Sequence, residues 1–239
     1  MVVDTGLSAP TQAFPVVGID VGISNLAMVR IDGHTEKIED VVHVSLLDDH
    51  EDDSSESQEI RAQLRASRAR HRNRQLAVSE TLALLTDVFE RKEVRALFVG
   101  VRAVAVEQQK QSKCSNQIAV QNGILTLLRQ QFRSAVVLVV PASAVKSFFS
   151  GSVFDQSKLH APGVTKKIRY SMYKKSAVDY AWSFFSYAHR ARCRHGKRDD
   201  VCDAFLIAIY YMRRVVMRQE KFVFPPSLPH DDDDGVATT

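Results

Sequence analysis

An α/β domain, antiparallel strands first and a parallel strand-helix-strand unit after them, is what the sequence predicts, and three observations carry that prediction. Two apolar, β-favouring runs each lead to a carboxylate, Asp20 in Val16-Val17-Gly18-Ile19-Asp20 and Glu107 after residues 97–106. Helical periodicity occupies residues 60–91 and 116–131, on either side of the second run. A further apolar run, residues 136–140, closes on Pro141.

Taken in order, Gly18 and Gly22 in the first run let another backbone or a ligand come close. Asn25 to Ile31 reads as a second strand after a tight turn, and Asp32-Gly33 signals a hairpin into a third strand carrying Val41, Val42, Val44 and Leu46. The acidic segment 48–59 has the low hydrophobicity of a flexible loop. From Ile60 to about Arg91 the pattern predicts one long helix. Ile60, Leu64, Val78, Leu82, Leu85 and Phe89 share a stripe, and Arg61, Arg65, Arg68 and Arg72 lie along another arc. Ser55 and Gln58 have capping-box spacing at its start. The strand at 97–106, helix at 116–131 and strand at 136–140 imply a parallel crossover. Residues 150–171, rich in Gly, Ser and Lys, read as a mobile basic loop, followed by a helix from Tyr173 to Tyr187. A basic stretch, residues 189–198, runs into a last helix from Asp199 to about Met217. Trp182, Phe184 and Phe185 fit a core or a dimer contact better than a base-stacking platform.

The 239 residues, 45% of them apolar, suffice for one sizeable core. We expect one domain over residues 14–224, a flexible N-terminus at 1–13 and a disordered acidic tail at 225–239. No apolar run reaches the length of a membrane span, and neither a secretory signal nor a convincing mitochondrial presequence opens the chain. Three cysteines without CxxC spacing suggest a reducing, intracellular compartment. A zinc site from Cys193 and His195 lacks two ligands.

The formal charge is +4, yet eleven of the 28 acids sit in two runs, 48–59 and 231–234, that hold no Lys or Arg. Setting those aside leaves 17 acids against 32 bases. Such an excess suits a polyanion such as nucleic acid, although a solubilising surface has the same composition.

Asp200 and Asp203, i and i+3 in the last helix, add two carboxylates to those of Asp20 and Glu107. Acids in a first helical turn are favoured by the macrodipole alone. Four carboxylates brought together, however, repel strongly unless a cation neutralises them. Hard oxygen ligands suit Mg²⁺ or Mn²⁺, and a metal pair about 4 Å apart can hold both oxygens of a phosphodiester displacement.

Three motifs in this order, Gly18-Ile19-Asp20-Val21-Gly22-Ile23-Ser24-Asn25-Leu26-Ala27, Val106-Glu107-Gln108-Gln109 and Lys197-Arg198-Asp199-Asp200-Val201-Cys202-Asp203-Ala204, resemble those of the RuvC-like Holliday-junction resolvases. The similarity is to the poxvirus-type and mitochondrial branch of that ribonuclease H superfamily family, over residues 15–217, and Pro141 with Val145-Lys146 and Lys175 is similar to its lysine positions. The resemblance implies a ribonuclease H-like fold, a five-stranded mixed sheet flanked by helices. It makes Asp20, Glu107, Asp200 and Asp203 the catalytic metal ligands for two Mg²⁺ ions, with Mn²⁺ able to substitute, and places Lys146 and Lys175 near the scissile phosphate. It further implies a homodimer that nicks four-way DNA junctions symmetrically, in recombination and resolution of replication intermediates. Asp199 is read as a helix-start residue.

Candidate DNA contacts are Arg61, Arg65, Arg68 and Arg72 on the long helix. Lys113, Lys166, Lys167, Arg192, Arg194 and Lys197 in the basic loops join them. Two other readings compete. An actin- or Hsp70-like ATPase would use Asp20 to Asn25 as a phosphate loop, but the chain lacks a glycine-rich second loop after Glu107. A non-catalytic branched-DNA-binding protein would keep the basic surface and leave the carboxylates unexplained. A viral replication site is expected in preference to a mitochondrion.

Overall fold

In the computed structural model, residues 14–22, 25–48, 53–70, 77–109, 115–193 and 198–216 are described. Five strands, β1 (Val16–Val21), β2 (Asn25–Ile31), β3 (Ile38–Ser45), β4 (Ala103–Gln108) and β5 (Val136–Pro141), form one sheet in the order β3-β2-β1-β4-β5. β1 to β3 pair antiparallel, and β4 pairs parallel with both β1 and β5. A five-stranded mixed sheet flanked by helices is the architecture expected from the sequence.

Continuous apolar runs belong in strands covered on both faces, and residues 16, 17 and 19 of β1 are fully buried. Val17 and Ile19 join the core beneath α2 (Val78–Glu90) and α4 (Ser115–Gln131). Val16 joins the opposite core with α7 (Lys166–Trp182) and α9 (Arg198–Tyr211). A Cβ on Gly18 would lie 2.1 Å from the Ala204 carbonyl oxygen and 2.8 Å from the Ala208 Cβ. Only glycine therefore lets α9 settle directly on β1, one turn from its acidic start.

Several boundaries move from those expected. The long helix 60–91 is two, α1 (Ser55–Arg70) and α2, with residues 71–76 outside the described set. α2 has its own start, where the Ala77 N–H donates to the Glu80 carboxylate at 2.8 Å. The cap of α1 is Ser54, whose Oγ accepts from the Ser57 N–H at 3.2 Å, in place of the Ser55–Gln58 pairing. Leu97 ends a short helix, α3 (Lys92–Leu97), instead of opening a strand, because Val94 and Leu97 bury at helical spacing. The expected loop 150–171 contains α6 (Gln156–Leu159), and buried Phe154 and Leu159 anchor it. α7 then begins seven residues before Tyr173, capped by the Thr165 hydroxyl accepting from the Ile168 N–H. α5 (Ala142–Phe148) follows β5, and α8 (Tyr187–Arg192) takes residues 189–192 of the basic stretch. The final helix widens to a π turn over Met212–Val216. Residues 1–13 and 225–239, expected as flexible ends, lie outside the described residues, as do residues 217–224.

Candidate active site

Strand register brings the first two carboxylates together. Ile19 of β1 pairs with Val106 of β4, so the next residues, Asp20 and Glu107, stand side by side at the C-terminal ends of parallel neighbours. Burial first, then Glu107, then Asp203 and Asp200 hold the Asp20 carboxyl well above its ordinary range. Asp203, on the overlying turn of α9, is pushed up to about 7 by burial and by Glu107, against the opposing pull of Lys174 and Lys146.

Glu107 is steadied by the sequence that follows it. The Gln109 side-chain amide donates to the Val21 carbonyl at 2.9 Å and approaches Glu107 Oε2 at 3.4 Å, while the Gln109 N–H donates to Gln121 Oε1 at 2.6 Å. These contacts tie the ends of β1 and β4 to α4. Asp200 Oδ2 lies 3.6 Å from Nε2 of His43 on β3.

A cavity of about 130 Å³ opens beside this cluster, with Glu107, Asp203, Lys146, Tyr170, Tyr173 and Lys174 in its wall and Val145, Phe154, Leu206 and Ile207 among its apolar lining. The Lys146 ammonium sits 5.8 Å from the Tyr170 ring centre and 6.0 Å from that of Tyr173, and Lys174 lies 5.9 Å from Tyr170. Lys174 also pairs with Asp199, which raises its ammonium above the ordinary lysine range.

Of the expected site residues, Asp20, Glu107, Asp200 and Asp203 occupy one end of the sheet, and Lys146 reaches the cavity. Lys175 does not. It is exposed and outside the cavity wall, where its neighbour Lys174 stands instead. The reason is rotational: buried Ala177 and Ala181 define the inward stripe of α7, and Lys174 lies on it at i−3 from Ala177. That spacing was available in the sequence and would have selected Lys174. His43 and Gln109 were also missed, since their roles depend on pairing across the sheet.

Among the expected DNA contacts, Arg61 is corrected. Its side chain is 1% exposed, donates to the Leu46 carbonyl at 3.0 Å and pairs with Asp53, which also binds Arg91 at 2.9 Å. A buried guanidinium in such a network is an internal brace, and Asp53 belongs to that brace and not to a flexible acidic loop. Arg192 pairs with Asp40 of β3. Arg65, Lys166 and Lys167 are exposed. Arg72, Lys113, Arg194, Lys197 and the Arg68 side chain lie outside the described residues.

The donor chemistry of the four carboxylates suits a hard divalent cation. Among the described residues, no three His, Cys, Asp or Glu side chains form a preassembled ligand shell.

No family model and no curated protein sequence matches the chain. Among solved structures, it is similar to Thermus thermophilus RuvC, at 15% identity with a TM-score of 0.41, covering 86% of this chain and 97% of that one. A second match is T. thermophilus RuvC in complex with a Holliday junction substrate, also 15% identical, with a TM-score of 0.40 and coverage of 85% and 96%. Among the described residues no helix is long and apolar enough to cross a membrane.

Proposed function

We propose that this chain is a metal-dependent endonuclease of the Holliday-junction resolvase type. One observation carries the reading: two parallel strand ends and the first turn of α9 gather Asp20, Glu107 and Asp203 in one place, where burial first and the neighbouring acids second raise the Asp20 carboxyl. Carboxylates confined this way cost stability, and a hard cation offsets that cost. In this reading Asp20, Glu107, Asp200 and Asp203 hold two Mg²⁺ or Mn²⁺ ions. Such ions, when bound, polarise the phosphodiester and lower the pKa of water.

The remaining roles belong to the protein. Lys146 and Lys174, held at the cavity wall by Tyr170 and Asp199, offset charge developing on the phosphoryl oxygens. Gln109 keeps Glu107 in register with Asp20. Hydrolysis breaks the phosphorus–oxygen bond so as to leave a 5′-phosphate and a 3′-hydroxyl. A four-way junction has approximate two-fold symmetry, so paired cuts call for a homodimer with two equivalent sites. Exposed Arg65, Lys166 and Lys167 would contact phosphates and read branched shape more than sequence.

The test is cleavage of a labelled four-way junction with and without Mg²⁺, beside a linear duplex of the same sequence. Paired, Mg²⁺-dependent nicks in the junction support the reading. ATP turnover without DNA would favour the ATPase alternative, and binding without cutting would favour a non-catalytic junction binder.

A further inference from the structure

His43 sits on β3 between Val42 and Val44. Its side chain has 0% of its surface exposed, and neither ring nitrogen has a hydrogen-bond partner. A buried polar atom without a partner is costly, so an imidazole here implies a compensating use. Register supplies the direction. Asp20 pairs with Ala27 and Ala27 with His43, so the three form one row across β1, β2 and β3. They lie on the face that carries α9, as Val41 and Ala27 do. Ala27 leaves space between the two polar residues. The Nε2 atom stops 3.6 Å from Asp200 Oδ2, just beyond hydrogen-bond length.

We infer that His43 is a positioning residue for the acidic centre: its Nε2–H donates to Asp200 and turns that carboxylate toward Asp20 and Glu107. The role rests on the proposed metal centre. An imidazole has an N–H to give whether neutral or protonated, so it needs no titration. Contacts behind a metal-binding carboxylate fix its orientation, and their loss typically costs 10–100-fold in metal affinity. His43 acts through Asp200 and touches no substrate.

The experiment follows thermal unfolding in the absence of DNA as Mg²⁺ is added to the wild type, His43→Phe and His43→Gln. Phe keeps the ring and removes both nitrogens, whereas Gln keeps an N–H at similar reach. In the wild type, Mg²⁺ should raise the melting temperature; no rise removes the metal reading, and the His43 role with it. Given that rise, His43→Phe should need about 10–100-fold more Mg²⁺ for the same effect, with His43→Gln close to the wild type. In EDTA, His43→Phe should melt no lower than the wild type, which separates positioning from packing. A Phe variant that titrates like the wild type, or a Gln variant as impaired as Phe, overturns the inference. A second readout needs no folded Phe variant. The His43 ring nitrogen-15 signals of the wild type should move as Mg²⁺ is added, and static signals in a protein that Mg²⁺ stabilises would equally overturn it.

Discussion

Asp203→Asn should stabilise the metal-free protein at pH 8 and do little at pH 4. The Asp203 carboxyl sits at about 7 in the folded chain, against 3.8 for an unperturbed carboxyl, chiefly because burial disfavours the charge and Glu107 adds repulsion. The folded state therefore binds this proton more tightly than the unfolded state does. Its contribution to stability is fully present below about pH 4 and is lost as the pH rises through about 7. A displacement of about three pKa units corresponds to up to about 4 kcal/mol at pH 8. At roughly 2–4 °C per kcal/mol for a domain of this size, the melting temperature should differ by up to about 8–16 °C. Thermal melts of the wild type and Asp203→Asn in EDTA, from pH 4 to pH 8, measure the gap directly. It should open with rising pH and narrow when Mg²⁺ is added to the wild type at pH 8. A gap that stays constant with pH would refute the claim that this carboxyl is confined among other acids.

Other consequences follow from single contacts. Arg61→Ala takes from the buried Asp53 carboxylate one of its two guanidinium partners and leaves Arg91, and denaturant melts should show a loss of about 1.5–3 kcal/mol, beyond a surface arginine's cost. Gly18→Ala drives a methyl into the Ala204 carbonyl, so α9 must lift from β1, with a cost of roughly 1–3 kcal/mol or more and a fall in cleavage as Asp200 and Asp203 move from Asp20. Lys174→Ala should slow single-turnover cleavage much more than Lys175→Ala does; equal effects would contradict the placement of Lys174 in the cavity wall. Replacing Lys166 and Lys167 together by Ala should weaken junction binding and lower the slope of log affinity against log salt by up to about 2, as measured by titration at several salt concentrations.

The strands were legible because their apolar runs are continuous and their turns are punctuated, as at Asp32-Gly33. The acids were legible because each closes a run or opens a helix. Arg61 was misread because Arg61, Arg65, Arg68 and Arg72 recur at helical spacing, which says that they share an arc but not which of them meets a buried partner. Here that partner is Asp53, eight residues earlier, inside a run whose composition reads as solvated. The same gap separates Lys174 from Lys175, where one residue turns the side chain by about 100°. His43 carries no sequence signal at all, because its meaning arises from pairing with Ala27, from Ala27 pairing with Asp20, and from α9 crossing above them. Long-range register is a property of the folded sheet and not of any local window.

The central claim concerns one carboxylate at the end of β1. Wild type and Asp20→Asn should be compared on the same labelled four-way junction, in Mg²⁺, with binding and cutting scored in parallel. The account predicts that Asp20→Asn binds the junction as the wild type does and makes no cuts. Undiminished cutting by Asp20→Asn would contradict it.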